Sequence, residues 1–468
     1  MIRYTRLALL AALFAAPLTA QTTYYVDQVG GADTNGGTLP SAAWRTLTYA
    51  AGSLQKGDTL VVLPGVYDLK HEITFPVNFG ATATDQSNIT IIAAEGPSKT
   101  FIDGNGSYSG IGMIRFQEMA RGARMTGFTF RNMADAFWSC AIRLGSSSGD
   151  QYRAWDVEID NCVFESTLSR PFVVFGASAN TARQSSGMRI HNNLILNTNS
   201  NRRACEIYGD GQNWFYNNTI VHPTDIADRA VVWVNALLTH GQPGNARVFN
   251  NIIVGGGTSS EGIELGVADT TTYAGGANGV VLNNNCYNNK IDYKGFTPDA
   301  SNLSADPMFV DTTKGDYRLQ AGSPCLDTGS AAVAQLRHDL DYYPTLFPAT
   351  ARGRLPDIGA YEFHPVNFGL VAAPKVGGTV TFGFAGATPA MPVGVFLGFD
   401  EAAYGPLSFG LVLANPLFFL AQTVWPNVIS GTLPNDPNLE GLRLVFQGAA
   451  VINGNVELLN VAHTYVRK

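Results

Sequence analysis

The sequence predicts an all-β protein: a right-handed parallel β-helix with an N-terminal helical cap, followed by a C-terminal β-sandwich. Three observations lead there. Glycine is abundant, at 50 residues, and charged residues make up only 14%, which suits a β chain with many turns. Short apolar segments with paired asparagines recur at a period of about 25–33 residues, the range of solenoid coils. After residue 363 that repeat stops, Pro and Gly become frequent, and few charges remain.

Taken in order, residues 1–20 read as a secretory signal peptide. Arg3 and Arg6 precede an apolar run from Leu7 to Ala16, and small Ala20 stands before Gln21. That run is too short to span a bilayer, so the expectation is a secreted or cell-surface protein. The solenoid is expected over 21–363.

The repeat units are Arg189-Ile190-His191-Asn192-Asn193-Leu194-Ile195-Leu196, Phe215-Tyr216-Asn217-Asn218-Thr219-Ile220-Val221, Val248-Phe249-Asn250-Asn251-Ile252-Ile253-Val254 and Val281-Leu282-Asn283-Asn284-Asn285-Cys286-Tyr287. A weaker copy surrounds Asn161. Asn tolerates the left-handed backbone that a tight strand-to-strand corner needs. Identical Asn side chains at one corner can hydrogen-bond along the stack. A third strand per coil falls between these units, with Arg115, Arg143, Glu206 and Glu264 at its centres and Trp233 in the same phase. Apolar residues flank each centre, so alternation turns the flanks inward and the central residue outward.

The motifs Tyr24-Tyr25-Val26-Asp27, Trp44-Arg45-Thr46-Leu47 and Gly57-Asp58-Thr59-Leu60-Val61-Val62-Leu63-Pro64-Gly65-Val66-Tyr67 resemble the opening of pectate-lyase-like right-handed β-helix proteins, which implies that Thr46 to Gln55 forms a helix over the solenoid's open end and covers its exposed sheet edge. The far end is similar to choice-of-anchor Q proteins. It carries Asp306-Pro307-Met308-Phe309-Val310-Asp311, Gly322-Ser323-Pro324-Cys325-Leu326-Asp327-Thr328-Gly329 and Asp357-Ile358-Gly359-Ala360-Tyr361-Glu362-Phe363. The resemblance covers about residues 22–363 and implies a secreted β-helix with a variable C-terminal attachment. Residues 366–468 are expected to form the sandwich.

The formal charge of −7 argues against nucleic acid or acidic lipid as the main partner. Five cysteines without CxxC spacing read as mostly buried small hydrophobes. The resemblance implies a polysaccharide along the outer face of one sheet. On that face Arg115, Trp233 and Glu264 are the expected substrate contacts, with Trp233 stacking on a sugar ring.

A lyase acting on a uronic-acid polymer needs a base, a cation at the carboxylate and a proton for the leaving oxygen. There is no lysine between Lys99 and Lys290, so Arg143, Arg202 or Arg203 would have to serve as base. Glu206 would complete the catalytic set, and Glu206 with Asp210 would bind Ca2+. Arginine is a poor base, and no hydrolase-type carboxylate motif is evident. A noncatalytic surface or matrix protein that binds glycans therefore stands beside the enzyme. Asp156, Glu158 and Asp160 read as a solvated face, and His191 and His222 as surface or turn residues. Asp339, Asp341 and Asp357 are weaker candidates for a structural Ca2+ site.

Overall fold

The computed structural model describes residues 21–468 apart from 73, 135, 137–138, 146–152, 166–169, 175–185, 197–202, 209–212, 223–229, 236–245, 258, 266–280, 331–336, 339–344, 347–354, 364–366, 371–374, 386, 388–389, 399, 408–409, 416–417, 425–428, 442, 453–454 and 467–468. The expected signal peptide lies outside the described residues, as do Arg202, Asp210, Asp339 and Asp341.

The first part of the chain is a parallel β-helix. Three parallel sheets run its length, and each coil places one strand in each of them. Sheet A has nine strands, from Thr23–Val26 to Val281–Leu282. Sheet B has eight, from Gly65–Asp68 to Asn285–Tyr287, and sheet C has eight, from Val77–Phe79 to Ile291–Lys294. Strands this short form because every second side chain enters a shared interior. One apolar cluster runs continuously from Val26 to Cys286. Rings stack between coils inside it, Phe79 on Phe116 at 5.5 Å and Phe130 on Phe164 at 5.0 Å.

The corner between sheets A and B is made by asparagine. Asn161, Asn192, Asn217, Asn250 and Asn283 all adopt φ between 51° and 54°. The residue after each of the last four starts a ladder. Asn193 Nδ2 donates to Asn218 Oδ1 at 3.0 Å, Asn218 to Asn251 at 3.0 Å, and Asn251 to Asn284 at 2.9 Å. Asn302 extends it at 3.2 Å, and Cys162 N joins its other end by donating to Asn193 Oδ1. The expected stacking of the four Asn pairs at one corner is what the fold contains. The successive steps of 25, 33 and 33 residues show that coil length varies elsewhere while the corner is kept.

The open end is closed by the helix Leu47–Ser53, slightly shorter than expected. Thr46 caps it by accepting from Tyr49 N. Glu72 accepts from Leu47 N and Thr48 N, and burial pushes the Glu72 carboxyl up. Gln86 donates to the carbonyls of Ala51 and Leu54. Leu47, Ala50 and Leu54 join the solenoid core.

Past Asn302 the chain turns back along sheet B. Leu319, Cys325 and Ile358 pack on Ile252, and Ala360 packs on Leu194. Gly359, at φ +111°, lies so close that a Cβ would stand 2.7 Å from Ile252 Cδ1. Asp357 is fully buried, and its carboxylate accepts the N–H groups of Asp327 and Phe363 at 2.7 Å each. It ties this segment together, and its expected Ca2+ partners Asp339 and Asp341 lie outside the described residues.

All five cysteines are free and buried. From Asn367 onward the described strands are antiparallel. A three-stranded sheet gives Val380, Phe382, Phe384 and Ile429 to a core shared with Val393, Val395, Leu444 and Phe446 of a four-stranded sheet. This region meets the start of the solenoid, where Tyr25 Oη donates to Gly441 O and Ser41 N donates to Glu440 Oε1, each at 2.9 Å. No helix among the described residues is long and apolar enough to cross a membrane.

Candidate functional site

The returning segment packs on sheet B around Leu194 and Ile252, and the outer faces of sheets C and A bear the candidate chemistry. On sheet C the register pairs Asn78, Arg115, Arg143, Val173, Glu206, Trp233, Glu264 and Lys294 strand after strand. Their flanking neighbours Ile114, Phe116, Ile142, Leu144, Cys205, Ile207, Val232, Val234, Ile263 and Leu265 are buried. The alternation thus brings five of the sequence-predicted residues, Arg115, Arg143, Glu206, Trp233 and Glu264, into one row with about 4.8 Å between strands.

The row has two parts. Arg115 and Arg143 are adjacent, and their Nε atoms donate to Ile111 O and Gly145 O. Burial draws the Arg143 guanidinium below its ordinary value, and the neighbouring Arg115 acts in the same direction.

Further along, Arg203 joins from the strand's approach. Its guanidinium carbon lies 4.2 Å from the Trp233 ring centroid. One Nη is 3.7 Å from Glu206, and the other is 3.8 Å from Glu264. Lys294 Nζ contacts Glu261 at 2.8 Å and Glu264 at 3.7 Å, and the hydrogen bond to Glu261 raises the Lys294 pKa.

This geometry bears on three expectations. A guanidinium between two carboxylates is stabilised as the cation, the opposite of what a general base requires. The Trp233 ring carries Arg203 over it, so it is not an open sugar platform. Glu206 is buried at 3% exposure and faces Arg203. The second carboxylate expected to hold Ca2+ with it, Asp210, lies outside the described residues.

Sheet A holds a cluster that sequence reasoning missed. Glu158, Asp160 and His191 bring potential ligand atoms within 4.8 Å of one another. Arg124 grips Asp160 through Nε at 2.9 Å and Nη2 at 2.6 Å, and Thr126 and Asn161 also donate to it. Arg189 donates to Glu158 at 2.9 Å, and His191 Nε2 lies 3.2 Å from the same carboxylate. The His191 ring stacks on Tyr216 at 4.5 Å. Burial opposes ionisation of Glu158. His191 and the guanidiniums of Arg124 and Arg189 overcome it and hold the carboxyl well below the usual range.

Asp160 is fully buried, and His191 and His222 are at 1% and 0% exposure. The solvated-face reading of Glu158 and Asp160 and the surface reading of both histidines are therefore corrected. Each carboxylate already faces a guanidinium, so a divalent cation would have to displace a built ion pair. The cluster ties the strands Arg124–Thr126, Glu158–Asp160 and Arg189–His191 together.

Residues 155–336 match the family described as disaggregatase related. No curated protein matches the chain. Among solved structures, the chain is similar to a GH136 lacto-N-biosidase from Eubacterium ramulus at 11% identity and a TM-score of 0.32. That match covers 58% of this chain and 57% of the enzyme, so the chain spans little more than half of that enzyme's length. It is also similar to the pectate lyase Pel9A at 12% identity and a TM-score of 0.31, over 74% of this chain and 98% of that one. By its own strand topology, the chain is a parallel β-helix protein.

Proposed function

We propose that this is a secreted β-helix protein that binds polysaccharide along the outer face of sheet C. The observation that carries this reading is the single in-register row from Asn78 to Lys294. Such a row repeats polar and charged contacts at strand spacing, as a linear polymer of sugars requires. The adjacent Arg115 and Arg143 favour a uronate-containing chain, because guanidinium groups match carboxylates in geometry and charge.

Binding is favoured over turnover because Arg203, Glu206, Glu264 and Lys294 neutralise one another. A uronate lyase is the second reading. It would rest on Arg143, whose burial and cationic neighbour both favour the neutral form. Attachment to a cell surface through residues 366–468, in the manner of choice-of-anchor Q proteins, belongs to the same proposal.

The test is a titration of the full mature chain against uronate and neutral polymers, with and without Ca2+, followed by absorbance of an unsaturated uronate product. Saturable binding of uronate polymers without product supports the module, and product formation supports the lyase. Binding that Arg115→Gln leaves unchanged would refute the sheet C assignment.

A further inference from the structure

The Arg203–Trp233 pair of sheet C has a counterpart on sheet A with a different outcome. Arg189, Trp214 and Arg247 occupy consecutive strands of one outward row. The Arg247 guanidinium carbon lies 4.9 Å from the Trp214 ring centroid. Trp214 is held by Tyr216, edge-on at 6.5 Å, and by Phe249 at 6.0 Å. These aromatic neighbours are at 0% and 2% exposure, so the indole has a rigid backing.

On sheet C the guanidinium laid on tryptophan sits between two carboxylates. On sheet A it has none: among the described residues no carboxylate pairs with Arg247, and its buried Nε finds no hydrogen-bond acceptor. Tyr216 Oη, on the same outer face two residues from Trp214, is also buried without a partner. On the next strand Arg189 gives one Nη to Glu158 and keeps its side chain 38% exposed. Unsatisfied buried donors are costly, and a charged N–H more so than a neutral one.

What these groups lack is an acceptor, and the planar fork of a guanidinium is best met by two coplanar oxygens. Stacking on the indole fixes the plane of that fork before any ligand arrives. A neutral hydroxyl satisfies one donor only and leaves the charge unmatched.

We propose that sheet A carries a second site, centred on Arg247 and Trp214 with Arg189 beside it, that takes the carboxylate of an acidic sugar. It lies on a different sheet from the row of the proposed function and does not depend on it. An acidic polymer could then engage two faces of one solenoid, and two short acidic ligands could bind at once.

The test uses the full mature chain and three probes: a short oligogalacturonide, a neutral malto-oligosaccharide and inorganic sulfate. Titration calorimetry of the wild type and Arg247→Gln is run in both the native and the Arg115→Gln background. The expected result is a Kd for the oligogalacturonide at least about tenfold weaker in Arg247→Gln, equally in both backgrounds. Arg247→Lys should not restore it, because an ammonium lacks the fork. Trp214→Phe should lose the part of the tryptophan fluorescence change that the oligogalacturonide induces, which keeps the proposal testable if Arg247→Gln folds poorly.

Oligogalacturonide binding within twofold of wild type in a folded Arg247→Gln would overturn the site. So would equal affinity for the neutral oligosaccharide, or sulfate binding without oligogalacturonide binding. Loss confined to Arg115→Gln would place the binding on sheet C alone.

Discussion

Replacing Asn218 by alanine tests what holds the coils in register. Asn218 is fully buried in the middle of the corner ladder. Its Nδ2 donates to Ile190 O, Tyr216 O and Asn251 Oδ1, and its Oδ1 accepts from Asn193 N and Asn193 Nδ2. Alanine removes both halves of that bridge: Asn193 N loses its acceptor, while Asn193 Nδ2 keeps Ile159 O and Asn251 Oδ1 keeps the Asn218 backbone N–H. A buried polar group left unmatched costs about 1–3 kcal/mol. One such donor, together with the other side-chain hydrogen bonds lost at about 1 kcal/mol each and partly relieved by relaxation, puts the loss at about 3–5 kcal/mol. Asn302→Ala, at the less buried end of the ladder, should cost about 1 kcal/mol. Urea unfolding followed by circular dichroism reads both through the midpoint and slope. A loss below about 0.5 kcal/mol for Asn218→Ala, the size of an ordinary surface change, would refute the claim that the ladder supports the solenoid.

Other outcomes follow from the same reasoning. Asn217→Gly should be tolerated and Asn217→Val should destabilise by about 1–2 kcal/mol, because φ is 51° there; thermal midpoints compare them. Glu158 has a folded-state pKa below its ordinary value of 4.5, so its contribution is present above that value and is lost as pH falls through the lower folded value. The midpoint difference between wild type and Glu158→Gln should therefore be full at neutral pH and shrink in strong acid; a difference independent of pH would remove the ion-pair reading. Gly359→Ala should loosen the returning segment by about 1–3 kcal/mol, seen as faster proteolysis between 303 and 363, since its Cβ would meet Ile252. Native protein should be inert to a thiol reagent and expose all five cysteines on unfolding, because they are free and buried and burial pushes Cys162 up to about 12 and Cys325 up to about 11.

Much of the architecture was legible because its rules are local. The alternation in Ala141-Ile142-Arg143-Leu144 or Gly262-Ile263-Glu264-Leu265 states which side chain faces out wherever the strand sits. An Asn before a second Asn between apolar runs marks a left-handed corner for the same reason. The outward row of sheet C and the Asn ladder could both be drawn from such patterns, and the capping helix from the resemblance of the opening motifs. What those side chains meet was not local. Arg203 reaches Glu264 across the strand that carries Trp233, and His191 reaches Glu158 from the following coil. Coil lengths differ, so the sequence does not state which residues become neighbours across the stack. Asp160 looked solvated because its own strand alternates, and it is buried because Arg124 and Asn161 close over it. The direction of each side chain was determined by alternation along one strand. Its partner, burial and charge state were decided by register between strands, which only the assembled solenoid fixes.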